Sequence, residues 1–240
     1  VKKKSHPWRE AAFLERASSL ELEFGKNTQE FEGSEKYDGP AYSIGGTYAS
    51  KTNPLIASFV YQNEEVSANL DFWGTVKREI SGIGIALGAY VSSSMALQAI
   101  YLDSDAKYSY ENASQLDFTD DVVLYGLQAK YVHELAQQQA LNLELSAVQI
   151  DFDPENRSSE SNSSVDFSAT YYFNPKIGLS GTLSLRSGDT DSYKGTEYGV
   201  GLDAFVTEDF ALTVGYVNFE SDSSNGVDED GWSVGVDLLF

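Results

Sequence analysis

The feature that most constrains this chain is a period of two. From Leu20 onward, apolar residues exchange places with small or polar ones in run after run. Leu20, Leu22 and Phe24 alternate with Glu21 and Glu23, and Tyr42, Ile44 and Tyr48 with Ser43, Gly45 and Thr47. Ile83, Ile85, Leu87 and Ala89 alternate with Gly82, Gly84, Ala86 and Gly88. The same rhythm returns through Val123 to Tyr131, Leu141 to Leu145, Val165 to Phe173, Ile177 to Leu185, Tyr198 to Val206 and Trp232 to Phe240. Successive side chains of a strand point to opposite faces, so this pattern gives strands with one apolar face and one face of small or polar groups. Each run is about ten residues, the length a tilted strand needs to cross a bilayer.

The connections between runs come in two kinds. "KTNP", "SSS", "NPK" and "TED" are tight, whereas "GKNTQEFEGSEKYDG", "DSDAKYSYENASQLDFTDD", "DFDPENRSSESNSS", "SGDTDSYKG" and "ESDSSNGVDED" are long, polar and acidic. Short turns on one rim and long loops on the other predict an all-β, antiparallel, up-and-down transmembrane barrel over residues 18–240. An aromatic repeatedly precedes the tight turns, as in "YYFNPK" and "GAYVSSS". Rings with a polar tip belong where hydrocarbon meets water, so these residues form a girdle. Marking every candidate run gives about thirteen, yet an up-and-down barrel with both ends on one side has an even number. The conflict lies between Leu55 and Val91, and it resolves if part of Leu55 to Val76 is one long strand or an outer hairpin. The expectation is 12 strands, with 14 as the alternative. In this reading Val66, Ala68, Leu70 and Phe72 share the apolar face, opposite Ser67, Asn69 and Asp71.

Residues 1–17 stand apart as an N-terminal extension. Pro7 to Arg16, "PWREAAFLER", fits a short helix, with Ser5 near its cap and Pro7 early in its first turn. Val1-Lys-Lys-Lys resembles the charged front of a signal peptide, but His6, Pro7, Arg9 and Glu10 follow where an apolar core belongs. The chain therefore reads as a mature or trimmed form without its export signal. No run approaches 18 apolar residues, which leaves no helix able to span a membrane and says nothing against strands.

Which face is greasy decides the fold. A water-soluble barrel puts its apolar face inward and covers the outside with long charged side chains. Here the second face carries Gly, Ser, Ala, Thr and Asn with scattered charges, which suits a crowded, wet lumen. Lipid also requires closure, because an unpaired strand edge is not tolerated in hydrocarbon. By parity the inward charges are Glu21, Glu23, Asp71, Glu144, Asp166, Glu197, Asp203 and Asp237, against Lys130 and Arg186. An excess of carboxylates in a narrow pore draws cations and repels anions. These residues then line a porin-like channel for passive diffusion of small solutes, preferring cations. The alternative is that they pair with tyrosines, Lys130 and Arg186 and fill a closed interior. The barrel then serves as an anchor or as a subunit of a larger assembly, with a protein partner on the N-terminal segment or the loops.

Composition narrows the remaining classes. Lys plus Arg number 16 against 37 Asp plus Glu, a net charge of −21. Nucleic acid is therefore excluded as a partner, since its phosphates need clustered cations. The absence of cysteine removes disulfides and thiolate chemistry. The glycines of "GIGIALG" lie at strand spacing with no helix after them, unlike a dinucleotide loop, and no cofactor is expected. "ESDSSNGVDEDG" lacks EF-hand ligand spacing and reads as a solvated loop rather than a metal site. His133, in "YVHEL", has no matching serine motif, so an outer-membrane hydrolase is the least favoured of the three readings, no catalytic residue is assigned and an enzyme is not expected.

The closing strand carries a resemblance. Trp232, Val234, Val236, Leu238 and Phe240 alternate to a terminal aromatic. This resembles the C-terminal signal of Gram-negative outer-membrane β-barrels, and the likeness covers roughly residues 18 to 240. It implies a location in the cell outer membrane of a Gram-negative bacterium, contact with its lipid and lipopolysaccharide, and recognition of the terminal strand by the barrel assembly machinery. Barrel proteases of this class place a histidine near the outer rim, whereas His133 lies beside a tight turn. The motif selects no subfamily.

Overall fold

The computed structural model describes residues 18–31, 36–50, 53–70, 74–135, 139–154, 159–174, 176–189, 194–207, 209–223 and 227–240. The expected Pro7–Arg16 helix and Asp71 lie outside them. The described chain forms twelve strands: β1 (Ser19–Phe31), β2 (Lys36–Ala49), β3 (Leu55–Leu70), β4 (Gly74–Tyr90), β5 (Met95–Tyr110), β6 (Phe118–Glu134), β7 (Ala140–Pro154), β8 (Glu160–Asn174), β9 (Ile177–Gly188), β10 (Gly195–Thr207), β11 (Phe210–Ser221) and β12 (Val227–Leu239). Every strand pairs antiparallel with its sequence neighbours, and β1 pairs with β12 to close the barrel. At the seam the backbones of Ser18 and Phe240 exchange two hydrogen bonds of 3.0 Å. Closure satisfies the ladder without an open edge, as hydrocarbon demands.

The outward face is a belt of branched aliphatics and rings. Ile83 is 63% exposed, Leu127 69%, Val200 61% and Trp232 52%. In water such a band, running right round the molecule, would drive association; in a bilayer it is the solvated face. Polar backbone and charged side chains take over toward the loop rim. There Lys26 pairs with Asp38, Lys36 with Glu30 at 2.7 Å and Lys77 with Glu65 at 2.8 Å.

Two expectations change. The reading that set Val66 and Ala68 on the apolar outer face is reversed: they are 1% and 6% exposed and point inward. The reason is continuity. β3 runs unbroken for 16 residues and pairs in register with β4 along its whole length, so Phe59 faces lipid and the even-numbered residues from Val60 to Ala68 face in. The polar "NEEV" stretch in the middle of this long strand sends Glu64 inward to Arg78 and Glu65 outward to Lys77. The long polar connections also shorten. "GKNTQEFEGSEKYDG" is mostly β1 and β2, and Glu229 of "ESDSSNGVDED" lies within β12. Antiparallel pairing stabilises these segments beyond the belt because the ladder satisfies the backbone whether or not lipid surrounds it.

Candidate functional site in the lumen

Three levels of the interior follow from these strands. At the turn rim, inward residues pack into two apolar clusters: Ala49, Ile56, Tyr90 and Ala96; and Tyr172, Phe205 and Ala211 with Leu239 against them. The clusters extend into a ring. Ala96, Ala140, Tyr172 and Ala211 are fully buried, Val132 is 2% exposed and Phe205 4%. Inward residues beside open water are not covered in this way.

Above that ring lies a cavity of about 550 Å³ touched by all twelve strands. Its charged lining is Glu21, Glu23, Glu144, Asp203 and Asp237 against Lys130. Lys130 reaches Glu144 at 3.5 Å, and the Gln128 amide donates to Glu144 at 3.3 Å. The Tyr172 hydroxyl donates to Asp203 at 2.8 Å. Glu21 stands directly across the β1–β12 ladder from Asp237, which is 7% exposed.

The third level is a cavity of about 690 Å³ nearer the loop rim, and its wall is divided. Ser164, Asp166, Ser184, Arg186, Glu197 and Glu229 supply a polar side. Asp166 accepts hydroxyl hydrogen bonds from Ser146 at 2.9 Å, Ser164 at 3.2 Å and Ser184 at 2.5 Å. Arg186 pairs with Glu197 while its guanidinium lies 4.5 Å over the Phe219 ring. Glu229 accepts from the Gln29 amide at 2.7 Å and lies within electrostatic reach of Arg78, Glu64, Arg186 and Glu197. Arg78 and Glu64 pair at 3.2 Å. Opposite-charge pairs from β3–β4 and β9–β10 thus meet the β12 carboxylate across the lumen. The other side, on β3 to β7, is aliphatic, with Val60, Ile80, Ile100, Leu102, Val122, Leu124, Val148 and Ile150 among its residues.

The structure therefore sets Glu21, Glu23, Lys130, Glu144, Asp203 and Asp237 at the middle level and Asp166, Arg186 and Glu197 at the upper one. Parity missed Glu64, Arg78 and Glu229: the first two fall in the Leu55 to Val91 stretch whose strand count is in conflict, and Glu229 falls in a stretch that reads as a connection. It also passed over the aliphatic inner wall, whose signal is plain in retrospect. "AIYL", "VVLYGL" and "AVQI" carry apolar residues at both parities.

Of the closing strand, Trp232, Val234, Leu238 and Phe240 are exposed on the outer side, and Val236 is half-buried among them. His133 faces outward at the turn end of β6, its ring 6.3 Å from that of Tyr131. Among the described residues no group of three or more His, Cys, Asp or Glu is placed to hold a metal.

No family model matches the sequence, and no curated protein matches it. Solved structures do match the fold. The COG4313 outer-membrane channel from Pseudomonas putida F1 superposes with a TM-score of 0.65 at 15% identity, over 93% of this chain and 96% of that one. The β domain of the Bordetella autotransporter BrkA gives 0.64 at 11% identity, over 93% and 100%. The translocator domain of the autotransporter NalP from Neisseria meningitidis gives 0.63 at 11%, over 93% and 88%. At such identities the likeness speaks for architecture. The chain has the closed, twelve-stranded transmembrane barrel fold of Gram-negative outer-membrane proteins. Its unbroken apolar belt belongs in the lipid of that membrane.

Proposed function

We propose that this barrel is a non-conducting outer-membrane anchor or assembly subunit. The observation that carries the reading is the buried inward ring at the turn rim, where Ala96, Ala140, Tyr172 and Ala211 have no exposure. A water-filled pore wets its lining; these residues are covered. The paired charges above the ring support the same reading, since Lys130, Arg78 and Arg186 each have a carboxylate partner. The autotransporter barrels of BrkA and NalP, each one domain of its protein, share this architecture and are compatible with the anchor reading, as the COG4313 channel is with a conducting one. In this reading the partner binds on the N-terminal segment or the loops, lipopolysaccharide surrounds the loop rim, and the assembly machinery reads Trp232 to Phe240.

A second reading has one observation in its favour. The middle cavity presents five carboxylates against one ammonium, the balance of a cation-preferring pore. Planar bilayers separate the two. The anchor reading expects no steady current from the inserted full chain and a stoichiometric second protein on gentle purification. A sustained current whose reversal potential reports cation preference overturns it in favour of a channel.

A further inference from the structure

The upper cavity has an aliphatic wall that the anchor reading does not use. Ile100, Leu102, Val122, Leu124, Val148 and Ile150 point inward from three adjacent strands, where a lumen filled only with water gains nothing from them. They do not fill the space as a core does, because about 690 Å³ stays open in front of them. Glycines explain why the wall lies flat. A Cβ at Gly84 would sit 2.8 Å from a Val60 methyl and 3.2 Å from a Leu102 methyl, and one at Gly126 would sit 2.7 Å from a Val148 methyl. The aliphatic side chains lie down over bare backbone and leave the cavity clear.

The edge of this wall carries charge. Asp166 is the cross-strand neighbour of Ser146 and is oriented by three serine hydroxyls, one strand from Val148. Across the whole cavity five carboxylates, Glu64, Asp120, Asp166, Glu197 and Glu229, face two guanidiniums, Arg78 and Arg186. The volume and mixed lining are those of a small-molecule site, in which apolar area supplies affinity and a few polar groups fix orientation. We infer that the upper cavity binds a hydrophobic organic cation, its apolar body on the β5–β7 wall and its ammonium at Asp166. The inference rests on the cavity itself and holds whether or not the barrel conducts.

The test uses the full chain in nanodiscs of zwitterionic lipid, with empty discs subtracted, and three probes followed by calorimetric titration. 4-Phenylbutylammonium has both features, 4-phenylbutanoate has the same body with the opposite charge, and tetramethylammonium has the charge with little apolar body. The expected result is saturable binding of one 4-phenylbutylammonium per barrel, at least about tenfold tighter than either control. Leu124→Asn and Asp166→Asn each weaken it about fivefold or more, while the strand circular dichroism and folded gel mobility stay unchanged. Equal affinity for the butanoate, no saturable binding above empty discs, or full affinity in either variant overturns the inference. Bilayer current plays no part in this readout, so its outcome leaves the anchor reading to its own test.

Discussion

The two inner walls of this barrel share one outer face and little else. β3 to β7 run 15 to 17 residues and turn aliphatic side chains into the upper cavity, whereas β9 to β12 and β1 run 12 or 13 residues and turn in Gly, Ser, Thr and charge. Yet Ile85 and Leu127 on the first group meet lipid in the same way as Leu183 and Val234 on the second. The outside of such a barrel answers to one solvent, while each stretch of the inside answers to what it contains. A uniform exterior code therefore carries little information about the lumen.

Substitutions sharpen this contrast. The largest effect is expected where the interior is packed. Tyr172→Ala removes a buried ring and its hydrogen bond to Asp203, and the expected cost is about 3–5 kcal/mol in urea unfolding from lipid vesicles. Leu124→Ala on the aliphatic wall is expected to cost no more than about 1–2 kcal/mol, since it faces a cavity already present and creates no new void. Equal costs at the two sites would mean that the upper cavity is filled. Next comes the lipid face. Leu127→Arg is expected to cost about 2–4 kcal/mol, while Thr182→Arg, turned into the lumen, costs under about 1 kcal/mol by the same measurement.

A smaller effect compares the ion pairs of the two walls. Arg186→Gln and Arg78→Gln each leave a carboxylate near Glu229, with expected losses of about 1–3 kcal/mol. Replacing Glu197 by Gln together with Arg186→Gln should recover part of the loss, measured as a double-mutant cycle. Additive losses would show that the pair does not interact. The smallest effect is at the loop rim. The Thr75 amide donates to the exposed Glu111 carboxylate at 2.9 Å, and this holds Glu111 below its ordinary value near 4.5. A depressed carboxylate contributes above its unfolded value and loses the contribution as pH falls through the folded one. Exchange protection of the Thr75 amide should therefore persist at neutral pH and fade only below pH 4.5, and Glu111→Gln should abolish that dependence.

Much of the architecture is legible in the residues. Alternation from Leu20 to Phe240, tight turns against longer connections and the requirement for an even count point to twelve strands, as found. The register of the Val66 segment is not legible, because a polar stretch such as "QNEE" looks like a break unless its cross-strand partners, Arg78 and Lys77, are known. For the same reason the inward placement of Glu64 is hidden in that stretch, and that of Glu229 in an apparent loop. The aliphatic wall is legible only as a departure: Ile100 and Leu102, Val122 and Leu124, and Val148 and Ile150 put apolar residues at the parity that is small or polar on the other strands. Local pattern reports which solvent a face meets, and pairing across strands decides which side chains share a cavity.

The most direct test of a uniform outer wall around a divided inner one is a spin-label scan, which the cysteine-free chain permits without background substitutions. Single cysteines at Leu124, Tyr125, Thr182 and Leu183 in lipid vesicles compare both faces of both walls. Labels at Tyr125 and Leu183 are expected to be relaxed chiefly by oxygen from the lipid, and labels at Thr182 and Leu124 to lose that lipid signal. Oxygen-dominated relaxation at Leu124 together with aqueous contact at Tyr125 would show that the wall described as inner is the outer one.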